Sequence, residues 1–364
     1  MTRILLTCLS LVAFISTAFA QNTSWTELMM QDNANYFDIV NAYDNYWINF
    51  GNEKVKHSGH KQFERWRYHV EPRVQNDGSI RSVKDIMRAS KEYYSNHASR
   101  SANGSWTEIG PWREENYSRG VGRLSHLAFH PTDVNVMFLA TPAGGIWKSE
   151  DKGATWKNVD NDLPNFGVSF ITYDETDPAI MYAATGDINA NETDGAGVYK
   201  STDGGKSWLP SNGGIENETV GKILQITGSA TDFICITKTG VFKSIDAGVN
   251  WVKKSDNRDF RDLEMKPNDP NTWFATNWTA SSIGSYLYVS KDKGETWTIR
   301  NYFNGLFPDT RYEIEISKAE PNKLYLMGGN RMYYSLNDGD SMTLLNMGGA
   351  HLVNYDSQGW YNAS

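Results

Sequence analysis

The sequence predicts an all-β protein: a β-propeller of four-stranded blades with a small helical N-terminal extension. Three observations carry that expectation. The phrase S-x-D-x-G-x-[S/T/N]-W occurs four times, as Ser149, Asp151, Gly153, Trp156; Ser201, Asp203, Gly205, Trp208; Ser244, Asp246, Gly248, Trp251; and Ser290, Asp292, Gly294, Trp297. A fifth, worn copy has Ser335, Asn337, Gly339, Ser341 and then Met342. The closing Trp, or its Met substitute, recurs every 43 to 52 residues, the length of four short strands with their turns. Aromatic residues make up 13% of a chain whose mean hydropathy is −0.56, which suits short strands with aromatic inner faces and polar turns.

At the N-terminus, Arg3 is followed by the apolar run Ile4 to Ile15 and by Ala18-Phe19-Ala20, the layout of a cleaved secretory signal over residues 1–20. The run is shorter than the roughly 20 residues of a membrane span. The expectation is therefore a secreted or cell-surface protein with no transmembrane segment. Cys8 leaves with the leader, so Cys235 stays alone and an internal disulfide is excluded. An exported chain without disulfides needs a large buried core.

Residues 21–105 lack the repeat. Tyr36, Ile39, Val40, Tyr43 and Trp47 fall at helical spacing, as do Phe63, Trp66 and Val70, and Pro72 stops the second helix. Ser82-Val-Lys-Asp85 is a capping start for a third helix through Tyr94. The Ser-, Asn- and Gly-rich stretch Ser95 to Ser105 reads as a linker.

From residue 106 to 364 the blade order repeats. Alternating segments such as Arg123 to His130 are first strands, and turns such as His130-Pro-Thr-Asp133 and Lys266-Pro-Asn-Asp-Pro270 lead into second strands at 136–140, 180–184, 273–276 and 324–327. Third strands at 145–148, 197–200, 240–243 and 286–289 run straight into the phrase, which suits the hairpin between third and fourth strands. Its Gly supplies a positive φ, and its Ser and Asp bond the loop backbone. Five to six blades fit the span. The last unit breaks off at Gly359 to Ser364, so the chain is expected to be a fragment or to be closed by a strand from Trp106 to Ile109.

With 35 basic against 43 acidic residues the formal net charge is −8, which opposes phosphate binding, and no nucleic-acid partner is expected. The basic and aromatic stretch Lys61 to Arg73 reads instead as a helix that buries its aromatic face. His57-Ser-Gly-His60 lacks partners at metal-ligand spacing, and neither a metal nor a cofactor is expected. Asp187, Asn189, Asn191 and Asp194 gather hard oxygens in one long loop. Glu192 stands where an EF-hand needs Gly, so a solvated turn is the expectation.

The repeated phrase resembles the Asp-box, or BNR repeat, of sialidases, xyloglucanase-type glycoside hydrolases, sortilin-like receptors and photosystem assembly factors. That resemblance implies blades built around Asp-box hairpins and does not choose an activity. The upstream Lys61-Gln-Phe-Glu-Arg-Trp66 and Glu71-Pro-Arg73 look like exported Bacteroidetes-type proteins of the type IX secretion class. Xyloglucanases of this kind place a catalytic Asp in a T-D-x-G-G context; the matching stretch here is Thr141-Pro142-Ala143-Gly144-Gly145, with Pro142 in the acid's place. Sialidases use three arginines, a Tyr with a Glu, and an Arg-Ile-Pro segment that is missing here. Arg123 and Arg311 begin inner strands and are expected as strand-end salt-bridge partners.

Because the four box aspartates recur once per blade they cannot share one site, so function is sought elsewhere. Arg123, Asp187, Asp194, Trp278 and Arg311 are the ligand-face candidates, with Trp278 as a sugar-stacking residue or rim packing. The sequence points to a binding or scaffold module for extracellular glycan or protein. The alternative is a glycoside hydrolase of the xyloglucanase or sialidase type, which needs two carboxylates across a cleft. The turn assignment carries a test: Gly248→Val should destabilise its blade by about 1–3 kcal/mol through the φ penalty, and unchanged thermal unfolding would count against the loop.

Overall fold

The computed structural model describes residues 24–29, 31, 33–50, 59–82, 85–86, 88–89, 92–93, 123–159, 167–189, 193–257, 259–279, 284–304, 311–328, 331–345, 354–355 and 361–362. The leader, the linker from Ser95, the stretch Trp106 to Ile109, His57 and Asn191 lie outside the described residues. The chain divides into two compact units, residues 1–60 with 70–81 and residues 61–69 with 82–364.

The first unit carries α1 (Trp25–Met29) and α2 (Tyr36–Phe50). Ser24 and Glu27 exchange capping bonds, Glu27 N–H to Ser24 Oγ at 3.2 Å and Ser24 N–H to Glu27 Oε2 at 2.9 Å. Asn35 Oδ1 accepts from the Phe37 N–H at 2.9 Å and so opens α2, whose Tyr36, Ile39 and Tyr43 are buried. The spacing that predicted a second helix is met by α3 (His60–Val70), which gives way at Pro72 to a short 3₁₀ turn. Beyond it, helical residues occur between 85 and 93, and Ser82 Oγ accepts the Asp85 N–H at 3.1 Å as the capping pattern requires.

Five four-stranded antiparallel sheets follow, each a meander in which neighbours in sequence are neighbours in space. The first is β1 (His126–Phe129), β2 (Met137–Thr141), β3 (Gly145–Ser149) and β4 (Lys157–Asn158). The second is β5 (Val168–Tyr173), β6 (Met181–Thr185), β7 (Val198–Ser201) and β8 (Leu209–Pro210). The third is β9 (Val220–Gln225), β10 (Phe233–Thr237), β11 (Val241–Ser244) and β12 (Val252–Ser255). The fourth is β13 (Phe260–Met265), β14 (Trp273–Thr279), β15 (Gly284–Ser290) and β16 (Thr298–Asn304). The fifth is β17 (Glu313–Ile316), β18 (Leu324–Gly328), β19 (Arg331–Ser335) and β20 (Thr343–Leu344). A two-stranded pair, β21 (Asn354–Tyr355) with β22 (Tyr361–Asn362), comes last. The first strands touch in succession, β1 to β5, β5 to β9, β9 to β13 and β13 to β17, which is the radial arrangement of propeller blades around a channel.

The core is divided among the seams between blades. Ala128, Phe138 and Ile146 of the first blade close on Ile171, Met181 and Trp208 of the second. Tyr182 and Val198 meet Ile223, Phe233 and Trp251; Ile234 and Ile236 meet Leu263 and Trp273; Phe274 and Leu287 meet Ile314 and Leu326. Each such side chain, fully buried, contributes on the order of 1.5–3 kcal/mol. On the opposite side of the first blade Leu127 and Phe129 are exposed. Lone Cys235 is fully buried in the second seam and its thiol is pushed up by burial.

The repeated loops share one hydrogen-bond pattern. In the first, Ser149 Oγ donates to Asp151 Oδ1 at 2.8 Å and accepts the Gly153 N–H at 2.8 Å, while Thr155 donates its N–H to Asp151 Oδ1 at 2.8 Å and its hydroxyl to Oδ2 at 2.5 Å. The Thr155 bonds, above all, hold the Asp151 carboxyl down at about 2. The worn copy keeps the pattern through an amide: Asn337 Oδ1 accepts from Ser335 Oγ at 2.8 Å and from the Ser341 N–H at 3.0 Å. Met342 packs into the fourth seam in place of the Trp.

Two consecutive residues of every loop are left-handed: 152 and 153, 204 and 205, 247 and 248, 293 and 294, 338 and 339. The second is always Gly, and in the later blades it lies against the blade before it. A Cβ on Gly205 would come within 2.6 Å of Phe138, on Gly248 within 3.0 Å of Tyr182, on Gly294 within 2.3 Å of Ile234 and on Gly339 within 2.6 Å of Leu287. Gly153, in the first blade, meets only residues of its own blade, Met137 at 3.4 Å and Trp156 at 3.5 Å. The phrase thus fastens the seam as well as its own hairpin. Gly153→Ala should cost about 1–2 kcal/mol for φ alone, whereas Gly294→Ala should cost about 1–3 kcal/mol more through overlap with Ile234. Equal denaturation midpoints for the two variants would sink the seam assignment.

Candidate functional site

An antiparallel meander sends its first and third connections to one edge and its second connection and exit to the other. All five repeated loops are third connections and lie on one face of the blades. Arg123, Asp187, Asp194, Trp278 and Arg311 all sit at the opposite edge, in exits and second connections or at the strand ends beside them.

At that face the first strands bound a cavity of about 440 Å³ along the channel. Period-two alternation explains its chemistry. In β17, Ile314 and Ile316 enter the seam while Glu313 lines the cavity; in β9, Ile223 enters the seam while Lys222 lines the cavity. In β13 the register shifts between Phe260 and Asp262, and this bulge lets the consecutive residues Arg261 and Asp262 both reach the cavity.

Lys222 Nζ donates to Asp262 Oδ1 at 2.9 Å and to Glu264 Oε1 at 2.5 Å. Asp262 also accepts the Leu263 N–H at 2.8 Å and, across the seam, the Ile314 N–H at 2.6 Å. One carboxylate thereby ties three first strands together. Burial pushes Glu264 up to about 7 against the pull of Lys222. Burial, and then the Asp262 charge, push Glu313 up to about 8. His126 stacks on Phe170 with ring centroids 3.8 Å apart, and burial, then Lys222, lower it to about 4, so it is neutral.

The loop after β6 lies over this cavity. Gly186, at φ +99°, bonds Gly167 O at 2.6 Å, and a Cβ there would fall within 2.8 Å of the Gly195 backbone. Three arginines from three blades then grip the next residues. Arg123 pairs with Asp187, Arg261 donates to the Ile188 carbonyl, and Arg311 donates to the Asn189 carbonyl and, at 3.0 Å, to Asn189 Oδ1. Asp187 is 1% exposed, which overturns the expectation of a solvated turn: a buried carboxylate needs a partner, and Arg123 supplies it. Among the described residues no cluster of metal-ligand side chains forms.

Of the sequence candidates, Arg123 and Arg311 line the cavity, Asp187 anchors the loop over it, and Asp194 is exposed outside it. Trp278 is half-buried and lies beside the cavity, with Arg261 over its ring at 5.6 Å, while Trp273 is core. Arg311 forms no ion pair among the described residues, contrary to the salt-bridge expectation, because its partner Asn189 is neutral. Lys222, Arg261, Asp262 and Glu313 escaped the sequence reading. Their signal is a charged residue at alternate positions of an otherwise apolar first strand, as in Glu313-Ile-Glu-Ile316. Pro142 sits in the turn after β2 and its carbonyl accepts from Thr193 Oγ1 at 2.7 Å, so that position serves the fold of the loop.

No protein-family model matches the chain. It is 28% identical over 240 residues to the xyloglucanase Xgh74A of Acetivibrio thermocellus, covering 53% of this chain and 27% of that protein. It is 27% identical over 231 residues to a xyloglucanase of a Paenibacillus species, covering 53% and 22%. The chain thus spans about a quarter of the length of the curated relatives it matches. Among solved structures, the GH74 enzyme of Niastella koreensis has a TM-score of 0.49 at 17% identity, covering 60% of this chain and 37% of that one. YCF48 bound to D1 peptide has a TM-score of 0.33 at 14% identity, covering 61% and 80%. The similarity in sequence is to glycoside hydrolases, and it favours the hydrolase alternative over the binding-module expectation.

Glu313 makes stability depend on pH. Its folded value lies above the unfolded carboxyl range, so its contribution is complete below about pH 4.5 and is lost as pH rises through about 8. Glu313→Gln has no proton to lose there. Relative to the parent it should gain about 1–3 kcal/mol between about pH 5 and pH 9 in denaturant titrations. A difference constant across that range would show that Glu313 is already ionised at the acid end.

Proposed function

We propose that this chain is the propeller portion of an exported, glycan-directed protein of glycoside-hydrolase type, acting on β-glucan of the xyloglucan kind. The observation that carries this is the 27–28% identity to xyloglucanases along half of the chain. The glycan is assigned to the face opposite the repeated loops, with Trp278 as its aromatic contact. Glycoside hydrolysis needs a carboxyl that keeps its proton near neutrality beside one that does not. Glu313, pushed up to about 8 by burial, is the group we assign as proton donor, with Asp262, held by Lys222, beside it in the same cavity.

A second reading, glycan binding without hydrolysis, is favoured by Pro142 at the place where the resembled family carries its acid. Incubating the purified chain with xyloglucan and measuring both reducing ends and retention in xyloglucan-containing native gels separates the two. The expected result is release of reducing ends, reduced at least about 100-fold in Glu313→Gln, with weaker gel retention in Trp278→Ala. Retention without release would leave the second reading standing, and neither retention nor release would remove both.

A further inference from the structure

The cations around the channel cavity are not all paired in the way buried charges normally must be. Four cations line it: Arg123, Lys222, Arg261 and Arg311. Arg123 is matched by Asp187, Lys222 by Asp262 and Glu264, and Arg261, more loosely, by Asp259 at 3.8 Å. Arg311 is matched by none; among the described residues its hydrogen bonds go only to neutral Asn189. Arg261 carries a second mark of an unfilled site. It is 93% buried by its 7% exposure, yet its Nε has no hydrogen-bond acceptor among the described residues. A buried guanidinium donor left unpaired is costly, and an anion in the cavity would satisfy it.

The geometry points to a carboxylate-binding site in this cavity, in which Arg261 and Arg311 take the carboxylate group of a ligand about the size of a sugar acid. A monoanion fits best: Arg311 is the lining cation without a carboxylate partner among the described residues, and Asp262, fixed by Lys222 and two backbone N–H groups, would repel a second negative charge. The planar forks of two arginines suit a planar acceptor pair. The cavity of about 440 Å³ is within the range of small-ligand sites and admits a monosaccharide acid.

Glu313 is the internal competitor for that ligand. It interacts with Lys222 from β9, Asp262 and Arg261 from β13 and Arg311 just before its own strand, it lines the cavity with His126 from β1, and its ladder partner on β18 is Met327; Glu264 and Glu315 act on one another beyond Lys222 and Asp262. Protonated, it leaves Arg311 uncompensated; ionised, it supplies the missing negative charge itself. Carboxylate binding should therefore weaken as Glu313 loses its proton. The site does not rest on β-glucan hydrolysis, since a neutral glucan offers no carboxylate.

Isothermal titration of the full chain with sodium glucuronate, sodium acetate and glucose tests this. At about pH 6 glucuronate is expected to bind saturably and glucose not at all. Acetate binding as well as glucuronate would identify a free carboxylate as the recognised group, and tighter glucuronate would identify an acidic sugar. Arg311→Gln should weaken glucuronate about tenfold or more. Because that change also frees Asn189, a second variant is decisive: the parent should lose about tenfold in affinity between about pH 6 and pH 9, and Glu313→Gln should lose distinctly less, keeping only the part of the fall that follows the Glu264 proton. No saturable heat with either carboxylate, glucose binding as well as glucuronate, or the same pH dependence in parent and Glu313→Gln would overturn the assignment.

Discussion

Each blade after the first is seated by a contact in which the backbone of its repeated loop touches a side chain of the blade before. Phe138, Ile234 and Leu287 approach a loop glycine at distances that no Cβ would permit, and Tyr182 at one that a Cβ would crowd. Around these contacts the seams add polar ties where the loops allow them. Between the second and third blades, Tyr182 Oη donates to the Ala247 carbonyl at 3.1 Å, Ser211 Oγ donates to the Gly248 carbonyl at 2.8 Å, and Trp251 Nε1 donates to the Ser211 carbonyl at 3.0 Å. The same glycine must be left-handed for the hairpin and bare for the neighbour, so two independent constraints select one residue type.

This division of labour decides which face can vary. The repeated loops are occupied with their own hydrogen bonds and, after the first, with the preceding blade, and their aspartates are saturated by Ser, Thr and Asn donors. The opposite face has no such repeat. There the connections differ from blade to blade, and the longest of them is drawn over the channel by arginines from the first, fourth and fifth blades. Loop variation on a scaffold held from the other side is a common way for one fold to carry different chemistries.

Charge on the first strands is costly to bury, and the channel lowers that cost by pairing and by proton retention. Lys222 and Asp262 form the centre of a tie across three blades, while Glu264 and Glu313 are held towards their neutral forms. The result is a cavity whose balance depends on the protons of Glu264 and Glu313, and in which Arg311 has no carboxylate partner among the described residues.

The repeat, its period, the second and third strands and the capping residues Ser82 and Asp85 were all legible in the sequence, because each depends on residues within a few positions of one another. The cavity was not. Asp187 looked solvated among its Asn and Asp neighbours, yet its loop is held by residues 64 to 122 positions away, which only the closing of the blades brings near. Strict alternation would have set Arg261 and Asp262 on opposite faces of β13, and the bulge that joins them is a property of pairing with β14. The sequence by itself determined that the chain forms blades and where each one turns, since turns and hairpins are local. Only the tertiary structure decided which charges meet in the channel, since that depends on register and on contacts between blades.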